Sequence, residues 1–237
     1  VKSCVSSKTH YCDLAGEAQW IRKMIDLHHE DAKDNNVRIV NSCGFDSIPS
    51  DLGVYYIYKN ISKKNLSIRM RVTGAKGTYS GGTYASMQNI IKEAFKDRGV
   101  RKSLTNPYGL NPVGQQDGLD KRDLRSVKYD KIIKSWISPF LMAGINTRIV
   151  RRSNALSNFS YGKEFTYDEA VMTGKGLKGR LNGIFLSIPL MFLAAKPGSF
   201  FNKIFNIISP KPGQDPNKKE RENGYFSLRF FVFQVDG

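Results

Sequence analysis

Apolar and polar residues along the first third of the chain follow the rhythm of strands alternating with helices. Thr9-His10-Tyr11-Cys12-Asp13-Leu14 reads as a short strand, and Gly16-Glu17 turns the chain. Residues 18–34 predict an amphipathic helix, with Trp20, Ile21, Met24, Ile25 and Leu27 spaced three and four apart. Val37 to Val40 is a second strand. Asp46-Ser47-Ile48-Pro49 then opens another helix, with a capping side chain and a proline in the first turn. Strand, helix, strand, helix at this spacing predicts a parallel sheet with helical crossovers.

Beyond residue 60 the pattern changes. Leu66 to Val72 alternates as a half-exposed strand does, and Thr83 to Phe95 reads as helix. Residues 99–130 are polar and broken by Asn106-Pro107 and Asn111-Pro112, which predicts a long loop. Asp168 to Met172 makes a poor strand. Ser138-Pro139 predicts a helix start, and Arg148, Arg151 and Arg152 suit that helix's C-terminus. Phe226, Leu228 and Phe230 alternate cleanly, after which the stretch to Phe233 is apolar on both faces and asks for partners on both sides. Val1 to Val5 reads as the tail of a helix already under way. The expectation is a fragment, with sequence missing before Val1 and after Gly237.

Composition narrows the class. The 14 Phe, 11 Tyr and 40% apolar residues exclude a disordered chain. Three cysteines make no disulfide framework and fit a reducing compartment. No run of about 20 apolar residues is present, which argues against an ordinary transmembrane helix. The formal net charge of +16 is uneven: residues 1–60 hold seven basic and eight acidic residues, whereas residues 61–237 hold 30 and 13. Such asymmetry suits an acidic partner, either an anionic lipid surface or a phosphorylated ligand. Nucleic acid is not expected, because the basic residues flank apolar runs and form no groove-reading motif.

Several motifs compete for the chemistry. Gly174-Lys175-Gly176-Leu177-Lys178-Gly179 fits G-x-G-x-x-G, but the poor strand before it and Lys196 in place of an acidic ribose partner mark it as a flexible basic loop. Cys43 to Asp51 is better placed, between the C-terminal end of a strand and a helix N-terminus, where α/β sheets hold ligands. The alternative there is that Asp46, Ser47 and Ser50 only cap the helix. Tyr11 and Asp13 share one face of a strand, and Tyr11 or His10 can serve as a proton donor. Gly81-Gly82-Thr83 before a helix is a candidate anion nest or a plain turn. His28-His29 has no partners at metal-ligand spacing, so no metal is expected. No nucleophile elbow and no P-loop occur.

Residues 184–208 carry a different signal. Ile184 to Ala195 is mostly apolar around Pro189, and Phe200, Phe201, Ile204, Phe205, Ile207 and Ile208 follow at helical spacing. Lys175, Lys178, Arg180, Lys196, Lys203 and Lys211 surround them. This suits a segment lying on a lipid surface, with Leu190, Phe192, Phe200, Phe201 and Phe205 as its contacts. The alternative is a buried helical hairpin or a dimer contact.

Taken in order, these motifs resemble the saccharopine dehydrogenase-like oxidoreductase family, including its trans-acting enoyl reductase relatives. The resemblance rests on Thr9 to Glu17 and Gly44-Phe45-Asp46-Ser47-Ile48-Pro49-Ser50-Asp51-Leu52-Gly53. Gly81-Gly82-Thr83, Asn106-Pro107-Tyr108, Ser138-Pro139-Phe140 and Val150-Arg151-Arg152 continue it. Lys8 stands where family members often carry glycine. The resemblance implies an α/β fold, in which residues 1–60 end a Rossmann-type domain and residues 61–237 form an α+β substrate or dimerisation domain. It implies NAD or NADP in the full-length protein, with none held by this fragment alone, and a homodimer at full length. Tyr11 and Asp46 are the catalytic candidates; Phe45, Ser47, Pro49, Ser50, Asp51, Gly81, Gly82 and Thr83 would face substrate or cofactor. Residues 184–208 resemble a membrane-prone insert of the eukaryotic members, which places the protein inside the cell at the cytoplasmic side of a membrane or lipid droplet. The expected activity is hydride transfer to a lipid-like or carbonyl substrate. The alternative is a non-catalytic protein on a membrane or lipid droplet.

Overall fold

The computed structural model describes residues 1–234 apart from Ser62, Thr78 and Asp215. Helix α1 (Lys2–Ser6), strand β1 (Tyr11–Cys12), helix α2 (Ala18–Asp34), strand β2 (Ile39–Val40) and helix α3 (Ile48–Ile61) follow the expected order. β1 and β2 pair in parallel, Tyr11 opposite Ile39 and Cys12 opposite Val40. α2 buries one stripe: Ala32 packs with Val5 and Val37, while Ala18 and Ile21 pack with Leu110, Met142 and Ile145.

The rest of the chain is built on a mixed sheet. Strand β3 (Leu66–Lys76), helices α4 (Gly81–Lys96) and α5 (Arg98–Thr105), and strands β4 (Lys128–Asp130) and β5 (Ser135–Ser138) come first. Helix α6 (Ala143–Leu156), strand β6 (Thr166–Gly174), helices α7 (Gly176–Leu193), α8 (Phe200–Ile208) and α9 (Lys218–Glu222) and strand β7 (Tyr225–Gln234) complete it. The sheet order is β4-β5-β6-β3-β7, with β3 parallel to β6 and antiparallel to β7. One face of β3 (Leu66, Ile68, Met70, Val72) meets Val54 of α3, Val150 of α6 and Tyr167 of β6 in the main core. The molecule is thus α/β, with a five-stranded mixed sheet.

Several expectations are corrected. β3 is a central strand, and Arg71 on its polar side is 1% exposed. Asp130 at 3.2 Å and the adjacent Asp168 offset its desolvation. The long loop expected over 99–130 is confined to residues 106–127: Asp97 caps α5 through the N–H groups of Gly99 and Val100, and β4 forms at the far end. Ser138 ends a strand instead of starting a helix, and α6 begins at Ala143. Arg148, Arg151 and Arg152 lie inside α6, not at its C-terminus. Arg148 donates to Asp123 (2.9 Å) and Leu104 O (2.6 Å), and Arg151 to Asp120 (2.5 Å), Pro107 O (3.1 Å) and Tyr167 O (2.7 Å). Arg152 reaches Leu110 O. These guanidinium groups satisfy the carbonyls of the stretch that the sequence marks as loop. β7 pairs with β3 alone among the described residues; the ring of Phe233 on its second face takes the Arg69 guanidinium at 5.2 Å.

Candidate functional site

The site grows from the C-terminal ends of β1 and β2. Asp13 joins the two: its carboxylate accepts from Ala15 N–H (2.9 Å), Ser42 N–H (3.0 Å) and the Asn41 amide (2.7 Å), and its carbonyl from Cys43 N–H (2.7 Å). Chain 43–47 then turns, with Ser47 and Ile48 N–H groups on Gly44 O, and α3 begins. Gly53 sets α3 against β7, since a Cβ there would lie 2.4 Å from the Phe230 ring.

The turn is held from beneath by a buried polar network. Ser47 donates to Asn146 Oδ1 (2.8 Å), and Asn146 Nδ2 donates to Glu169 (3.1 Å), which also accepts from the Tyr167 hydroxyl (2.8 Å). Ser50, 1% exposed, adds a hydrogen bond to Glu169. Burial pushes Glu169 up to about 7, against the pull of these donors. Ser47 and Ser50 therefore face inward, while Phe45 and Asp46 face out. Pro49 lies in the first turn of α3, and one carboxylate oxygen of half-buried Asp51 is buried without a hydrogen-bond partner.

Asp46 borders two cavities. One, of about 460 Å³, is lined by Phe45, Tyr79 and Tyr225; the other, of about 560 Å³, by Leu14, Glu17, Met87 and Ile145. Ser80, Thr83 and Met142 line both together with Asp46. Burial raises the Asp46 carboxyl, and burial together with the Asp46 charge pushes the Tyr79 phenol up to about 12. Tyr79 therefore stays protonated beside a carboxyl group. Tyr11 lines neither cavity; burial and Asp13 raise its phenol. A third cavity, of about 430 Å³, lies on the far side of the turn, against Ser47, Asp51 and Arg152. Burial and Arg22 lower Arg152 to about 10.

Gly81 and Gly82 lie inside the first turn of α4, not before it. Ser80 caps the helix by accepting from Thr83 N–H (3.3 Å), and Gly81 N–H goes to Gln214 O (2.9 Å). A Cβ at Gly81 would sit 1.7 Å from Lys211 O. The chain itself occupies the position an anion would take. The G-x-G-x-x-G turn does follow a true strand, β6, and is ordered, with Gly174 at φ +105° and Gly176 at +61°. Gly179 packs against the Gly174 carbonyl, at 2.4 Å from its virtual Cβ. The next strand, β7, runs antiparallel to β3, so the turn lies outside a βαβ unit. No metal-binding group of His, Cys, Asp and Glu exists among the described residues.

Along its full length the chain is similar to mycobacterial trans-acting enoyl reductases. A protein of that name from Mycobacterium bovis is 31% identical, and one from Mycobacterium ulcerans 30%. A Mycobacterium tuberculosis protein given the same name provisionally is 34% identical. In each case the match covers 100% of this chain and 60% of the relative's length. No family model and no solved structure matches.

Sequence reasoning missed Tyr79, Met142, Asn146 and Glu169. Tyr79 is the one with a signal, standing two residues before Gly81-Gly82-Thr83. Asn146 and Glu169 carry none, because only the packing of α6 on β6 brings them together.

The described apolar hairpin α7–α8 is exposed at Phe200 and Phe201, and half-buried at Leu190 and Phe192. Phe205, expected at a lipid surface, is instead 3% exposed, with its ring 5.7 Å from Tyr84. No helix among the described residues is long and apolar enough to cross a membrane.

Proposed function

We propose that this chain is the substrate-binding part of an oxidoreductase of the saccharopine dehydrogenase-like group. It reduces a carbon–carbon double bond or a carbonyl of a lipid-like substrate, as the names of its relatives suggest. Residues 1–60 close a dinucleotide domain, and residues 61–237 form the substrate domain and the homodimer contact of the full-length protein. The observation that carries this reading is the meeting of Asp46 and Tyr79 in the 460 Å³ cavity, with Asp46 also lining the neighbouring one, on the turn that follows the parallel strand β2.

NAD or NADP is the hydride donor in this reading, but the described residues do not fit its pyrophosphate. The turn at Gly174 lies outside a βαβ unit, and at the start of α4 the Gly81 and Thr83 N–H groups are taken by Gln214 and Ser80. In this reading the pyrophosphate is held by residues outside this chain. This chain's own residues bind and orient. Tyr79 O–H, held protonated, donates a hydrogen bond to the carbonyl oxygen of the substrate; Asp46 lies beside it; Ser47 and Ser50 anchor the turn from inside. The role of proton donor passes from Tyr11 to Tyr79. In a protein of the relatives' length, Tyr79→Phe is expected to lower NADPH-dependent reduction of an enoyl thioester about 100-fold, and Asp46→Asn about tenfold. Unchanged turnover in both variants would sink the assignment.

A second reading, attachment to a membrane or lipid-droplet surface, is supported by one observation. Phe185, Met191, Phe200 and Ile207 are all about 70–80% exposed on α7 and α8, amid Lys175, Lys178, Lys196 and Lys203. Phe200→Asp with Ile207→Asp is expected to weaken flotation with anionic vesicles by about 100-fold. No flotation of the unaltered chain at low salt overturns this reading.

A further inference from the structure

α4 changes character along its length. Ser80, Thr83 and Ser86 come first; Met87, Ile90 and Ile91 follow, and all six line the 560 Å³ cavity that begins at Asp46. Thr83 and Ile91 lie about 12 Å apart along a helix axis. Glu17 and Ser86, the polar pair on this wall, hydrogen-bond to each other and need no ligand. The apolar end is closed by Ile91, Leu141 and Leu193, and the same three side chains form the inner wall of another cavity, of about 700 Å³. That outer cavity is bounded by Ile184, Leu190 and Met191 of α7, and Met191 is 69% exposed. A polar entrance therefore leads into an apolar chamber, and a three-residue gate separates this from a second chamber that opens on the apolar face of α7.

The geometry points to an acyl-chain path: the reducible head of the substrate lies at Asp46, and its hydrocarbon tail runs along α4, between Ile91, Leu141 and Leu193, and out under α7. This rests on the lipid-substrate reading and adds where the tail goes and what measures its length. The inner chamber takes a short chain, and the outer one is reached only by a long chain displacing the three gate side chains. Apolar burial is the driving force, so each methylene that enters tightens binding about fourfold.

The test is titration of the chain with hexanoate, dodecanoate and hexadecanoate below their micelle concentrations and without vesicles, followed by displacement of a fluorescent fatty acid. Affinity is expected to rise with chain length through hexadecanoate. Ile91→Trp is expected to remove the gain from dodecanoate to hexadecanoate. Met191→Glu, on an exposed position that the fold tolerates, is expected to weaken hexadecanoate at least tenfold and leave hexanoate unchanged. Affinity independent of chain length, or equal weakening of all three acids by Met191→Glu, overturns the path. Because the readout is binding, it fails separately from the reductase reading: length-dependent binding without any turnover at full length removes only the latter.

Discussion

Lowering the pH from about 8 to about 5 is expected to stabilise the chain by roughly 2.5 kcal/mol through Glu169 alone. This carboxyl is fully buried, and its surroundings push it up to about 7 from an ordinary 4.5. Ser50 of α3, Asn146 of α6 and Tyr167 of β6 face it as hydrogen-bonding partners, and the charge acting on it is another carboxylate, Asp123. Between the two values the folded chain holds a proton that the unfolded chain has released. Folding therefore takes up a proton, and stability falls as pH rises through this window. Asp130, whose carboxyl is lowered by the Ile133 N–H, Arg69 and Arg71, works in the opposite sense, but only as pH falls through the acidic carboxylate range. Urea denaturation at a series of pH values isolates the effect. Glu169→Gln keeps the hydrogen-bonding shape and should flatten the slope; an unchanged slope in this variant means the proton is held elsewhere.

The second large effect concerns Arg151. Its guanidinium, 3% exposed, joins Asp120, Pro107 O and Tyr167 O. Arg151→Met preserves the aliphatic stem but leaves a buried carboxylate and two carbonyls without their donor. We expect a loss of about 3–5 kcal/mol in urea denaturation. Arg152→Met removes a single carbonyl contact and should cost markedly less. Equal losses in the two variants would show that Asp120 finds water or another partner on its own.

The parts legible in the sequence were those whose cause is local. The three-and-four spacing of Trp20, Ile21, Met24 and Ile25 placed α2, and Ile48-Pro49 placed the start of α3. The turn at Asp46 was legible for the same reason, as a strand end running into a helix start. What stayed hidden depends on distant residues. β6 looks like a poor strand because Asp168 and Glu169 interrupt its apolar run, yet Arg71 and Asn146 satisfy those two carboxylates from elsewhere in the fold. α5 has a local signal in Asp97, but the stretch after it is held by distant arginines as well as by its own Asn106, Tyr108 and Asn111: Arg151 and Arg152 of α6 bind Pro107 O and Leu110 O, and Arg22 of α2 binds Asn111 O. The spacing of α8 tells that it has two faces; Tyr84 decides that Phe205 is on the inner one.

The position of β3 has a consequence for how the chain reaches this structure. Its two neighbours come from far along the sequence: Ser67 pairs with Thr166, and Leu66 with Gln234. During synthesis β3 leaves the ribosome long before either partner exists, and its Ile68, Met70 and Val72 stay without both flanking strands until residue 234 has been made. Non-local pairing of this kind slows folding and prolongs the exposure of unpaired edges. The turn at Asp46 inherits that delay, because Phe230, against which Gly53 seats α3, belongs to β7.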